Sequence, residues 1–111
     1  MTVTVKVLIP AKTAENSQTT QYTASGVTTI IDKFTATNYS ASSATISVNL
    51  VTGGDTAGNS NLITKTKTLQ PSEVYTFPEL VGQVLMPSGF ISTIAGTASA
   101  INIRSSGREV S

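Results

Sequence analysis

The chain has no cysteine, no histidine and no tryptophan, and only 12% of its 111 residues are charged. Without cysteine there are no disulfides and no thiol nucleophiles. Without histidine there is no imidazole acid–base chemistry, and the common zinc, haem and iron–sulfur ligand sets are missing as well. Seven Lys/Arg against six Asp/Glu leave a formal net charge of +1, so there is no strong field to hold nucleic acid or an anionic membrane. No stretch is long and apolar enough to span a bilayer, and the opening MTVTVKVLIP carries no basic leader before a long apolar run, which reads as a soluble chain made in a cytoplasm. These absences remove most enzyme classes and leave a chain for which no catalysis, cofactor or metal is expected.

What fills the chain is hydroxyl: 19 Thr and 14 Ser, alternating with Val, Ile and Leu rather than with Pro and charge. That pattern is the composition of strands, and its aliphatic half can be buried to offset chain entropy. The length suits one domain with one modest core over residues 1–111, with residues 1–25 as an extended N-terminal strand and arm.

Along the chain, Val3, Val5, Val7 and Ile9 alternate with Thr2, Thr4, Lys6 and Leu8, which predicts a half-buried strand ended by Pro10. Residues 11–26 read as a long connection with a short strand near Gln21 to Thr23. Residues 27–39 predict a second strong strand with Ile30, Phe34 and Ala36 inward; Asp32, in the same phase, requires a bulge, a strand end or a bonded partner. Residues 45–51 (TISVNLV) predict its antiparallel partner. TGGDTAGNSN at 52–61 is turn chemistry. LITKTKTL and EVYTF are strands joined by a tight turn at Pro71-Ser72, and PELVGQVLM at 78–86 is the one helical candidate, from the spacing of Leu80, Val81, Val84 and Leu85 behind Pro78. Phe90 to Ile94 and Ala98 to Arg104 close the chain as strands, followed by a polar tail, SSGREVS. The whole predicts an all-β fold: a small antiparallel β-sandwich, jelly-roll-like or immunoglobulin-like, with one short helix.

Candidate chemistry is thin. The six acids, Glu15, Asp32, Asp55, Glu73, Glu79 and Glu109, are scattered, and a hydrolase built on Asp32 with Glu73 or Glu79 would need two carboxylates within about 5–9 Å. Asp55, Asn59 and Asn61 offer oxygens to a calcium ion but supply a single carboxylate. Lys65 and Lys67 share a predicted face and read as blunting an exposed edge. Phe34, Phe77 and Phe90 read as core. Asn38-Tyr39-Ser40 is an N-glycosylation triplet without a secretory context. Two features favour interaction: a surface of Thr, Ser, Asn and Ala with little charge to desolvate, and an N-terminal strand free to pair with a neighbour. The candidate interface is Thr2, Val3, Thr4, Val5, Lys6, Val7, Leu8 and Tyr22. A competing module would bind a receptor or carbohydrate through the loops Gly53 to Asn61 and Met86 to Gly89, though the chain lacks the tryptophan such sites favour.

From about Ile30 to Val110 the chain, through IIDKFTATNYSASSATISVNLVTGGDTAG, LQPSEVYTFPEL and the closing IRSSGREV, resembles a family of small tailed-bacteriophage virion proteins. That resemblance implies a β-sandwich subunit present in many copies on the particle and made in the bacterial host cytoplasm. It would act as a capsid decoration (cement) protein, or as a neck, collar or tail component. The implied partners are other copies of the chain, as a dimer or trimer, and the major capsid protein or neck and tail proteins.

Overall fold

In the structure, a computed structural model describing all 111 residues, the chain forms nine strands: β1 (Val3–Thr13), β2 (Thr19–Thr23), β3 (Thr28–Asn38), β4 (Ala44–Val51), β5 (Leu62–Leu69), β6 (Val74–Thr76), β7 (Val84–Leu85), β8 (Phe90–Ala95) and β9 (Ile101–Val110). They make two antiparallel sheets packed as a sandwich, in keeping with the all-β expectation. The first runs β1-β9-β3-β6, with β7 on the same side of β3 as β6, and the second runs β2-β8-β4-β5. Only β4 and β5 are consecutive in sequence and also paired; almost every other connection crosses between the sheets. The core between them takes Ile31, Phe34, Ala36, Ile101 and Ile103 from the first sheet and Ile46, Val48, Leu69 and Ile91 from the second. Phe77 packs edge-on against Phe34, with ring centroids 4.9 Å apart.

Several local expectations are overturned, each for a tertiary reason. The strand at 45–51 does not pair with 27–39, because the turn between them is a corner. There the fully buried Asn38 donates its side-chain N–H groups to the carbonyls of Ser42 (2.8 Å) and Leu69 (2.9 Å) and accepts from the Ser40 amide (2.9 Å), sending the chain into the other sheet. The turn at Pro71-Ser72 likewise joins β5 of one sheet to β6 of the other. The helix at 78–86 does not form. Its backbone is taken by β3, with Gly82 N–H donating to Ile31 O (2.7 Å) and Ile31 N–H to Gln83 O (2.9 Å), and Gly82 sits at φ +83°, so the segment is a chain of turns ending in β7. Leu80 and Leu85 are buried while Val81 and Val84 face out. Tertiary hydrogen bonds override local helix propensity in so short a segment.

Pro10 does not end β1, which continues to Thr13; as an edge strand it tolerates a residue without an N–H at a register shift. The tail SSGREVS is no tail but the second half of β9, held between β1 and β3. Asp32 is the extra residue of a bulge, since Ile31 pairs with Gly107 and Lys33 with Ser106. The bulge reverses the inward phase of β3 from Thr29 and Ile31 to Phe34 and Ala36, so Ile31 rather than Ile30 is buried. Here the Ile30 carbonyl comes so close to Gly107 that a Cβ would collide with it and with the Leu8 side chain; only glycine fits. On β5, a second bulge at Thr66 (φ 44°), whose N–H donates to Ser47 Oγ at 2.8 Å, separates the faces of Lys65 and Lys67.

Candidate interaction surface

The first sheet has strands of ten or eleven residues in β1, β9 and β3, whereas the second has none longer than eight. Its outer face is therefore built from the longest strands of the molecule. At one end, β1 lies at the edge, paired with β9 in unbroken register from Val3↔Val110 to Val7↔Ser106. Thr2 and Ser111 exchange both backbone hydrogen bonds at 2.9 Å. By the alternation of an antiparallel ladder, the N–H and C=O groups of Thr2, Thr4 and Lys6 face β9, and those of Val3, Val5 and Val7 point outward, unpaired.

The side chains divide the same way. Lys6 lies on the inner side, with Nζ 3.3 Å from Glu109 Oε2. Glu109 also accepts a short hydrogen bond from the Tyr22 hydroxyl, which lies 2.6 Å from Thr29 Oγ1. Burial, reinforced by the bond to Glu109, pushes the Tyr22 phenol up to about 12, while the Tyr22 and Lys6 contacts hold the Glu109 carboxyl below its usual range. Val3, Val5 and Val7 occupy the opposite, outer side and are 51%, 82% and 42% exposed, although half-burial was expected of them. The core cannot cover them because it lies under the other face of the sheet. Ile30 and Val110, partly exposed, and Val84, exposed, continue this apolar end. Arg108 pairs there with Asp32 through Nε and Nη2, at 3.0 and 2.9 Å.

Of the eight residues expected at an interface, Thr2, Val3, Thr4, Val5, Lys6 and Val7 are exposed, while Leu8 and Tyr22 are not. Leu8 falls on the inner face by the same alternation that places Thr4 and Lys6 there, and the register shift between Val7 and Ile9 turns Ile9 into the core as well. Tyr22 is buried between the sheets by its bonds to Thr29 and Glu109.

At the other end of the same outer face, β3 and β9 line a groove of about 480 Å³ with Lys33, Thr35, Thr37, Asn102, Arg104 and Ser106. Lys33 and Arg104 take part in no ion pair, and no carboxylate lines the groove. Sequence reasoning missed this pairing, since Arg104 opposes Thr35 only once β9 and β3 are in register.

The acids are occupied separately. Asp32 is bound by Arg108, Glu73 accepts from the Gln70 amide at 2.7 Å, and Glu79 accepts from Thr64 and, at 2.8 Å, from Tyr75. No three acids group where they would hold a metal ion. The loops at Gly53 and at Met86 to Gly89 do meet, around a cleft of about 120 Å³, with Gly53 pressed against Ser88. Phe34 and Phe77 are fully buried and Phe90 partly so. Compared with family models, curated proteins and solved structures, the chain matches none.

Proposed function

We propose that the chain is a structural subunit of a tailed-bacteriophage particle, a capsid decoration (cement) protein that binds by shape and strand contacts without turnover. The observation that carries this reading is the β1 edge, where Val3, Val5 and Val7 present unpaired backbone groups beside an exposed apolar face. A long edge strand with no outward charge is a pairing surface, and folded monomers normally disguise such edges. The low charge of the whole surface suits close packing, because each buried ion would have to be desolvated. The groove carrying Lys33 and Arg104 adds cationic donors toward an acidic neighbour. On a particle, many copies bound through modest contacts gain by avidity what each lacks alone.

The test is sedimentation of the purified protein with expanded capsids, and separately with isolated necks and tails, of the phage that carries the gene. Saturable binding to capsids is the expected result. Binding to necks or tails alone moves the protein there, and binding to neither overturns the virion reading. Leu8 and Ile9 belong to the core, so the matched control is a point change at Val5 rather than deletion of the first ten residues.

A further inference from the structure

We propose that two copies of this chain pair through their β1 strands, antiparallel about a two-fold axis at Val5, joining the two first sheets into one continuous sheet. This deepens the assembly reading and rests on it only for the choice of edge. The partner follows from the chemistry of the edge itself. Only the odd-numbered residues Val3, Val5 and Val7 direct N–H and C=O groups outward, so an antiparallel partner of the same sequence must set odd residues opposite odd ones. Three registers then bring the valines together. Centring on Lys6 would place two lysines directly opposite one another on one face, a destabilising arrangement. Centring on Thr4 leaves Val7 without a valine partner. Centring on Val5 sets Val5 against Val5 and Val3 against Val7 twice over, with Thr4 opposite Lys6, and the paired stretch ends before Pro10, which has no N–H to give.

The side-chain consequence is equally specific. All six valines fall on the outer face as one apolar band, with Val110 beside Val3, the Asp32-paired Arg108 beside Val5 and Ser106 beside Val7 in each copy, and all three outward-facing residues of each edge find their backbone partners. Lys6 stays with Glu109 on the inner side, so no charge is stranded. A closed two-fold contact of this kind also removes both copies of the edge from further pairing, which keeps the assembly finite.

The experiment uses the complete chain. Light scattering of the purified protein is expected to give twice the 11.5 kDa of one chain, and Val5→Lys, at an 82% exposed position, is expected to halve that mass with an unchanged circular dichroism spectrum. Because the chain has no cysteine, a single introduced thiol reports the register. In a hydrogen-bonded pair the two Cα atoms are about 5.5 Å apart, within the span a disulfide closes, so Val5→Cys should oxidise to a covalent dimer. Thr4→Cys and Val3→Cys should not, their copies lying two and four residues out of register. A monomeric mass for the parent, faster cross-linking of the Thr4→Cys variant than of Val5→Cys, or a Val5→Lys variant that stays dimeric would each overturn the pairing. Particle binding is read separately on the parent chain: a dimer that ignores capsids, necks and tails overturns the virion reading alone, and a monomer that binds them overturns the pairing alone.

Discussion

The outer faces of the two sheets draw on the same small alphabet of Thr, Ser, Asn and aliphatic residues, and they end up as different kinds of surface. On the second sheet the polar side chains are tied to one another: Gln18 donates to Ser92 Oγ at 2.7 Å, and Asn49 donates to Asn61 Oδ1 at 2.7 Å and to the Gly58 carbonyl at 2.9 Å. Its edges are disguised too. β2 is five residues long with a register shift, and β5 carries the Thr66 bulge, Lys65, and Lys67 with its ammonium 4.6 Å from the centre of the Tyr75 ring. On the first sheet, β6 and β7 are edges of three and two residues. The β1 edge alone is long, with an uninterrupted register from Val3 to Val7 and no charge turned outward. The other edges carry the usual devices against unwanted pairing, whereas β1 confines its Pro10 and register shifts to the stretch beyond Val7 and leaves Val3 to Val7 plain; that contrast is what points to residues 3–7 in the proposed interaction.

The comparison can be broken or sharpened by substitution. The largest effect is expected where both sheets share one core: Phe34→Ala should cost about 3–5 kcal/mol in chemical denaturation, whichever sheet's signal is followed. Next is Gly107→Ala, which drives a methyl into the Ile30 carbonyl at the bulge. A loss of about 3 kcal/mol is expected, whereas Gly58→Ala, with open space around it, should leave the midpoint nearly unchanged.

Tyr22→Phe should cost about 1–2 kcal/mol by leaving the buried Thr29 hydroxyl without its partner, and it should remove the phenol that titrates near 12 in an ultraviolet pH titration. The sign of the pH dependence follows from these groups. Tyr22 is raised when folded, so its contribution is complete below pH 10 and is lost as pH climbs from 10 toward 12. Glu15, Glu79 and Glu109 are depressed, so theirs is complete above 4.5 and is lost as pH falls through their folded-state values. Melting temperature should thus decline on both sides of a broad plateau, and Tyr22→Phe should flatten the alkaline side. Lys65→Val is expected to leave stability within about 0.5 kcal/mol while raising self-association in light scattering, since it strips charge from an edge that now resists pairing. The smallest effect is expected of Arg108→Ala, whose ion pair with Asp32 is exposed on both sides; no measurable change in the denaturation midpoint should result.

Much of the strand inventory was legible. The alternation at 45–51, the glycine-rich tip at 52–61 and the strand at 90–94 lie where the pattern put them, and Asp32 proved to have both the bulge and the partner that its position demanded. The helix at 78–86 and the tail at 105–111 were misread for one reason: their hydrogen-bond partners, Ile31 for the first and the residues of β1 and β3 for the second, are distant in sequence. Of the proposed interaction surface, the strand was legible and the exposed side was not, because alternation separates two faces without saying which one the second sheet covers.

What the sequence determined alone is the class of molecule: an all-β chain, rich in hydroxyl side chains and low in charge, lacking the thiols and imidazoles that most catalytic and metal sites use. Strand period and composition are local properties and need no partner to be read. Only the tertiary structure decided that Val3, Val5 and Val7 face solvent, that Leu8 and Tyr22 do not, and that Lys33 and Arg104 share a groove. Each of these depends on which strands become neighbours and in what register. In a sandwich whose connections cross from sheet to sheet, that is settled by contacts between residues far apart in the chain: a buried asparagine at a corner, a glycine under a carbonyl, and a tyrosine bonded to a glutamate 87 positions away.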